Sequence, residues 1–566
     1  FKPDDVKNYM EYRFGAFPAD NGFSSLRREY ENPLWTLLAI AGLVLLIACA
    51  NLANLMLARA SAREREIGVR LALGASRLRL LCQMFVESLL LATTGAALGA
   101  GLAQLLSRFL LAFLSTEGSP LFMDLRPDWR VLGFTAGLAV LTCVLFGLAP
   151  ALRSTRVAPV SVLKAGGRGM TSGPERFGLR RGLVVLQVAL SLVLLVGALL
   201  FVRTLRNLLT LDPGFRQNNI VVANLDLTRL NIAKERRQEF KHELLDRIRA
   251  LPGIDSAADV GIVPISGNSW NDTVFIEGSD NRKAVPWFNR VTPGYFNALR
   301  TPFLGGRDFD DHDTATSLKV AIVNETFVRK FLNGQNAIGV TFRLESYVGR
   351  PTPTYQIVGL VKDAKYVDLR EEPVPLVYLV AAQDDRPDNF PQFLIRSNVP
   401  VAAALPAIKQ AVSEASPAIM SEFHPLQSQI RDSLLRERLM ATLSGFFGFL
   451  AVLLATVGLY GVISYTVARR TNEIGIRVAL GAQRGHVISM IMREAAVLLA
   501  IGLVLGSALA LAASRTATSL FFGLKPNDPA TLALAVAALA AVAAAASFLP
   551  AHRAARLDPM DALREE

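Results

Sequence analysis

Seven runs of 20 or more residues without a charged side chain divide this 566-residue chain, at 34–58, 88–107, 131–152, 182–202, 439–468, 495–514 and 529–551. About 20 helical residues cross a hydrocarbon core of about 30 Å, so each run is long enough to span a membrane. A single run of this kind could be a buried helix of a soluble domain. Seven in one chain exclude a soluble fold, and the composition agrees: 51% of residues are hydrophobic and the mean hydropathy is +0.34.

The net charge of +12 would point to nucleic acid in a soluble protein. Here its placement is topological. Segment 59–82 carries six Arg against Glu64 and Glu66, segment 153–181 seven Lys or Arg against Glu175, and segment 469–486 four Arg against Glu473. Basic residues beside span ends mark the cytoplasmic side. The hairpins near Thr116–Asp128 and Lys525–Asp528 have little basic excess and face outward, and 206–437 falls on the same outer side. No nucleic-acid partner is expected; the lipid bilayer is. Cys49, Cys82 and Cys143 all lie in or beside the apolar runs, so no disulfide framework holds the exported segment.

The chain repeats itself. Arg63-Glu-Arg-Glu-Ile-Gly-Val-Arg-Leu-Ala-Leu-Gly-Ala-Ser-Arg77 returns without a gap as Arg470-Thr-Asn-Glu-Ile-Gly-Ile-Arg-Val-Ala-Leu-Gly-Ala-Gln-Arg484, at an offset of 407 (470 minus 63). Pro150-Ala-Leu-Arg-Ser-Thr-Arg-Val-Ala-Pro159 returns as Pro550-Ala-His-Arg-Ala-Ala-Arg-Leu-Asp-Pro559. Two copies of one membrane unit, joined head to tail, predict a pseudo-symmetric pair of halves. Both halves enter the repeat from outside, so the repeat is parallel. The expected order is 1–33, the end of a first exported domain; 34–160, a three-span unit; 161–181, a cytoplasmic linker; 182–205, a span; 206–437, an exported domain; and 438–566, a second three-span unit. Subtracting the offset from Gly182 puts a first-half counterpart of that span near position −225 (182 minus 407), and residues 1–33 carry no signal peptide. An N-terminal truncation lacking roughly one span and most of one exported domain is therefore expected.

The exported segment mixes periods. Ile220–Leu227, Val320–Val323 and Gln356–Val361 read as strands. Ala233–Leu251 reads as an amphipathic helix with Phe240, Leu244, Leu245 and Ile248 on one face, stopped by Pro252-Gly253, and Val401–Glu414 as a second helix. A short helix is expected after Pro293. This is an α+β pattern, and the fold class is an α-helical membrane protein of seven spans with an α+β extracytoplasmic domain. Asp308, Asp310, Asp311, His312 and Asp313 lack the central Gly and closing Glu of a calcium loop and read as a solvated loop.

The spans carry little machinery. A transporter that binds a coupling ion needs ionisable groups at mid-membrane depth, and 88–107 and 439–468 hold no charged residue. Asn51 and Asn54, one turn apart, are expected to hydrogen-bond between helices; Glu87 and its repeat partner Glu494 are expected to pair with a neighbouring Arg at the inner surface. The Gly-rich stretch Lys164–Pro174 is a flexible linker, since no Lys-Ser or Lys-Thr closes it as a phosphate loop requires. No nucleotide motif, metal cluster or nucleophile–base set is recognisable, so no cofactor or catalytic activity is expected.

The repeated polar segment is the candidate functional element. Ile67, Arg70, Leu71 and Gly74 fall on one helical face, Glu66 complements the helix dipole in the first turn, and Gly74-Ala75 leaves a shallow spot for a partner side chain. Retention in both halves marks Glu66, Ile67, Gly68, Arg70, Leu73, Gly74 and Ala75, with Glu473, Ile474, Gly475, Arg477, Leu480, Gly481 and Ala482, as docking residues.

The Glu-Ile-Gly-x-Arg-x-Ala-Leu-Gly-Ala segment, the closing Pro-Ala-x-Arg-x-x-Arg-x-x-Pro, Val291-Thr-Pro-Gly-Tyr-Phe296 and Ile357-Val-Gly-Leu-Val361 together resemble the FtsX/MacB-type ABC permeases over essentially the whole chain, and the duplication resembles the duplicated permeases of acidobacteria. The resemblance implies FtsX-like permease units, a two-subdomain MacB-like periplasmic core at 206–437, and a bacterial inner-membrane location. It also implies docking of a separate ABC ATPase dimer, supplied in trans, on the repeated helices, and export or release of a substrate by mechanotransmission. A periplasmic adaptor or outer-membrane channel would be further partners. The family also includes regulatory members that control a periplasmic hydrolase or envelope-stress signalling, and an orphan scaffold is a third reading.

Overall fold

The computed structural model describes Met10 and residues 25–62, 76–115, 128–144, 174–276, 283–345, 353–384, 388–525 and 527–556. The membrane part comprises α1 (Ser25–Ala62), α2 (Arg77–Leu114), α3 (Trp129–Cys143), α4 (Pro174–Leu209), α10 (Leu435–Arg469), α12 (Arg484–Thr516) and α13 (Pro529–Ala554). Among the described residues, six stretches are long and apolar enough to cross a membrane: Tyr30–Asn54, Ala92–Ala112, Arg180–Leu209, Leu435–Arg469, Arg484–Thr516 and Pro529–Ala554. The seventh expected span, 131–152, is described only as the 15-residue α3, and its remainder lies outside the described residues.

Helices α4, α10, α12 and α13 form one bundle around Val188, Leu192, Leu459, Ile463, Ile491, Ala510, Leu539 and Ala543. Glycine sets its closest crossings. A Cβ on Gly502 would stand 2.7 Å from Val188 Cβ, and one on Gly506 2.8 Å from Ala189 O, so α12 lies against α4 with almost no side chain between them. Helix α1 packs on α10 and α4 through Leu37, Ile47, Phe201, Met440 and Ala451. Helices α2 and α3 pack on one another. Leu98, Leu105 and Phe109 of α2 are exposed, an apolar surface that a bilayer would cover.

Between α4 and α10 lies the exported domain, whose strands form one 12-stranded mixed sheet in the order β12-β1-β11-β2-β5-β10-β7-β9-β8-β3-β4, with β6 on β9. One lobe holds β1 (Ile220–Asp226), β2 (Ile254–Val260), β11 (Gln392–Ser397) and β12 (Met420–Pro425) under helices α5 (Lys234–Arg249) and α8 (Val401–Ala415). Leu244, Leu245 and Ile248 of α5 meet Val221, Phe393 and Ile408 there, as the amphipathic spacing predicts. The other lobe holds β3 (Val274–Ile276), β4 (Lys283–Ala284), β5 (Trp287–Val291), β6 (Phe303–Gly306), β7 (Val320–Asn324), β8 (Thr341–Leu344), β9 (Thr354–Val361) and β10 (Leu376–Val380), with α6 (Tyr295–Leu299) and α7 (Glu325–Phe331). Its separate core is built on Phe288, Val323, Phe327, Phe342 and Ile357.

The lobes are joined narrowly: β2 pairs with β5 only at Val260↔Val291, supported by Gly261 N–H donating to Arg290 O at 2.8 Å and Thr292 N–H to Asp259 O at 3.0 Å. On the opposite sheet face a third core crosses this joint, running from Val222 and Leu394 through Tyr295 and Tyr378 to Leu208 and Leu434 beside the membrane helices. The expected solvated acidic loop is corrected in one respect. Asp313 is buried, because Arg307 grips its two carboxylate oxygens at 2.7 and 2.8 Å.

Asp259 sits at the lobe joint with its carboxylate 3.8 Å from Lys241 Nζ, which is itself 3.2 Å from Asp388. Burial pushes the Asp259 carboxyl up to about 6, against the opposing pull of Lys241. The folded chain holds this proton more tightly than the unfolded one, whose carboxyl ionises near pH 4. Stability should therefore fall as pH rises from about 4 to about 6, by an amount on the order of 2–3 kcal/mol, and change no further above that. Asp259→Asn should flatten this slope in melts followed by the fluorescence of Trp270 and Trp287. An unchanged slope would show that the carboxylate is already ionised at pH 5.

Candidate functional site

The second copy of the repeated polar segment forms α11 (Thr471–Ala479), a nine-residue amphipathic helix between α10 and α12. Since α10 leaves the exported domain at Leu435 and reaches α11 at Arg470, α11 lies at the end of the bundle remote from that domain. Ile474 is 1% exposed and belongs to the bundle core with Val487 and Ile491. Gly475 is buried beside it. Glu473, Ile476, Arg477 and Leu480 face outward, with Leu480 82% exposed. Of the expected docking residues, Ile474 and Gly475 pack against the helix's own bundle, while Ile476, outside the expected set, lies on the outer face. Glu473 and Arg477 pair across one turn at 2.7 Å, a contribution of about 0.3–0.5 kcal/mol for an exposed helical pair.

Gly481 shapes the end of α11. Its φ is +92°, in the left-handed region that a side chain disfavours. Gly481 N–H donates to Val478 O at 3.0 Å and Ala482 N–H to Arg477 O at 2.9 Å, a paired closure that stops the helix. Gln483 then occupies the N-cap position of α12 without a side-chain bond, so Gly481-Ala482 make the corner that leaves Leu480 projecting. Glu66, Ile67, Gly68, Arg70, Leu73, Gly74 and Ala75 of the first copy lie outside the described residues. Ser76 caps α2, at the position that Gln483 holds before α12.

An ion network ties α11 to the bundle. Glu494 of α12 pairs with Arg181 of α4 through one oxygen and with Arg470 through the other, at 3.0 Å, and Arg470 lies 4.0 Å from Glu473. The expected interfacial pairing of Glu494 is thus present; the side chain of Glu87 lies outside the described set. Nearby, the Arg180 guanidinium stacks over Tyr465 at 4.1 Å.

A second joint, unseen in the sequence, lies at the other end of α10. Glu437, in its first turn, is 5% exposed. It accepts from Arg436 at 2.7 Å, and Arg370 Nε lies 2.9 Å away, an ionic contact out of line for a hydrogen bond. Arg370 comes from the loop after β9 and also donates to the carbonyls of Ser519 and Leu520, at 3.4 and 3.1 Å, in the turn between α12 and α13. Burial lowers the pKa of this guanidinium, with Glu437 opposing the shift. Arg203 of α4 binds Asp528 and Thr531 at the start of α13, and Asn207 donates to Phe522 O at 3.3 Å. One loop of the exported domain is therefore riveted to α10 and to the outer turn of the bundle. The signal available in sequence was slight: an acidic residue between Arg436 and Arg438, two positions before an uncharged run. Among the described residues no cluster suited to a metal ion occurs.

Membrane-length helices, with a two-lobed α+β domain fixed to one end and a short amphipathic helix at the other, define a multi-pass membrane permease. An FtsX-like permease C-terminal domain model matches residues 38–159 and again 445–559, and a MacB-like periplasmic core domain model matches 182–415. The chain belongs to the FtsX/MacB family of ABC transporter permeases. It is 24% identical over 288 residues to the uncharacterized ABC transporter permease YknZ of Bacillus subtilis, covering 49% of this chain and 70% of that one. It is 26% identical over 325 residues to the macrolide export ATP-binding/permease protein MacB 2 of Aeromonas hydrophila, covering 52% and 47%. Among solved structures, the periplasmic region of MacB from Actinobacillus actinomycetemcomitans is 12% identical, covers 39% of this chain and 95% of its own, and has a TM-score of 0.28, too low to support a comparison of folds. The chain spans 47% and 57% of the length of two MacB relatives it matches.

Proposed function

We propose that this chain is the membrane subunit of a bacterial inner-membrane ABC export system that works by mechanotransmission, with ATP hydrolysis supplied by a separate ATPase dimer and no catalysis of its own. The carrying observation is the single helix α10, unbroken from the Arg370–Glu437 joint to Arg470, where α11 begins. At 1.5 Å per residue its 35 residues make a rod of about 52 Å. A push on α11 reaches the exported domain through that rod, and the Arg181–Glu494–Arg470 network hands it to α4 and α12 as well. Relatives whose names join an ATP-binding part to the permease, such as MacB 2 and the pyoverdine export protein PvdT of Pseudomonas putida, supply the partner class. Movement of the two exported lobes about their narrow seam would expel a substrate from the periplasmic side, without a path through the bilayer.

On this reading the chain is a tandem duplication. The repeated segments 63–82 and 470–489 lie on the cytoplasmic face and each receives one subunit of the ATPase dimer. The test is ATPase activity in proteoliposomes containing a cognate nucleotide-binding subunit. Glu66→Arg combined with Glu473→Arg should weaken stimulation by about tenfold or more, the scale of losing an interface hot spot. Stimulation that survives both substitutions would remove the docking assignment. Accessibility completes the check: cysteines placed at Ser76 and Gln483 should resist a reagent confined to the outside.

A further inference from the structure

Asn51 and Gly458 hold equivalent places in the two halves, since 51 plus the repeat offset of 407 is 458, and Asn54 corresponds in the same way to Gly461. The first pair is also in contact. Asn51 Nδ2 donates to Leu454 O at 2.8 Å, and a Cβ on Gly458 would lie 2.2 Å from Asn51 Oδ1 and 2.4 Å from Gln187 Oε1. Gln187 donates to the same carbonyl at 2.6 Å, and Ser191 to Ala451 O at 3.1 Å. Asn51, Asn54 and Gln187 are 7%, 6% and 1% exposed. Asn51 and Asn54 line a cavity of about 30 Å³ together with Gly458 and Gly461.

A residue that touches its own repeat mate lies where an axis relating the halves must pass. There a like-with-like pairing would set identical residues face to face. Two first halves would bring Asn51 against Asn51, crowding two amides into space that admits one. Two second halves would bring Gly458 against Gly458 without the Asn51 amide, leaving only each half's own Gln187 bonded to Leu454 O. In an apolar bundle one polar residue at a helix seam can fix partner and register, because its unpaired alternative is costly. We infer that the Asn51–Gly458 contact, braced by Gln187, is the recognition element that pairs the first half with the second half of one chain and excludes pairing between like halves. This rests on the two-half reading above, but its readouts are stability and cross-linking, whereas that reading is tested by ATPase stimulation, so the two can fail separately.

The test uses the full chain in lipid nanodiscs and native membranes. Gly458→Ala should lower Tm by about 3 °C or more, and Asn51→Ala added to it should recover part of the loss, the rest remaining as the contact of the new Cβ with Gln187 at 2.4 Å. Gly461→Ala, whose Cβ would meet no atom within 4 Å, should leave Tm unchanged. If Gly458→Ala alone fails to fold, recovery of folded protein by Asn51→Ala supports the pairing equally well. Losses that simply add, or rescue by Gln187→Ala and not by Asn51→Ala, overturn the assignment. In chains whose native cysteines are replaced by serine and Ala451 by cysteine, oxidation in native membranes should give no disulfide-linked dimer. A dimer would show like-with-like pairing and overturn the inference.

Discussion

Glu437→Ala should cost about 3–5 kcal/mol, the range for deleting one partner of a buried ion pair. Glu437 is 5% exposed, and the substitution would leave Arg370 and Arg436 at the head of α10 with no carboxylate between them. Arg370 would keep its carbonyl partners Ser519 and Leu520, so the loop should loosen from α10 before it leaves the turn between α12 and α13. The expected signature is faster hydrogen exchange in 363–375, where Tyr366 and Leu369 join the third core, while the two outer cores of the lobes, which hold no residue of this loop, stay protected. On the docking proposed above, binding of a nucleotide-binding subunit should persist in this variant, since α11 lies at the opposite end of α10. Glu437→Ala with Arg370→Met should recover part of the loss, because removing both charges leaves neither one stranded. Purely additive losses would mean that the two side chains only lie side by side.

The joint and α11, the docking helix proposed above, differ in how visible they are before folding. The spans could be read because hydrocarbon tolerates no charge, so each run announces itself locally; α10 and α12 follow the runs beginning at 439 and 495. The strand read at Ile220–Leu227 closes one residue earlier, at Asp226, and the helix read at Ala233–Leu251 runs Lys234–Arg249, because apolar spacing fixes an element more firmly than its ends. The direction of a short amphipathic helix is another matter. Ile474 and Ile476 are both apolar and two residues apart, so either could face the bundle, and only packing against Val487 and Ile491 settles that it is Ile474. The Arg370–Glu437 pair was hidden for a different reason. Its members are 67 positions apart (437 minus 370), one in a loop without periodicity, and tertiary packing alone brings them together. The first copy of the docking segment, Glu66 to Ala75, was legible only as a repeat, and its placement lies outside the described residues.

The tightest prediction concerns the seam between α4 and α12. Gly506→Leu would place a Cβ 2.8 Å from Ala189 O and 2.9 Å from Ala189 Cα, both backbone atoms that cannot turn aside as a side-chain end could. Gly502→Leu meets Val188 Cβ at 2.7 Å and Val185 O at 3.1 Å, one turn away on the same face. Relief requires the two helices to separate, which would break the packing of Val188 and Leu192 against their neighbours along the crossing. Overpacking a well-filled core costs about 1–3 kcal/mol per site, and two sites a turn apart force the same displacement, so the double variant should cost less than the sum of the singles. Each single variant should already lower Tm and the yield of monodisperse protein, with the double little worse. Gly445→Ala on α10, where a Cβ meets nothing within 4 Å, serves as the matched control and should be silent. The same displacement would carry Arg181 away from Glu494 and so detach α4 from the α11 network. Loss of ATPase stimulation in a single variant that still folds would place the α4–α12 seam in the transmission path; full stimulation at normal affinity would confine transmission to α10.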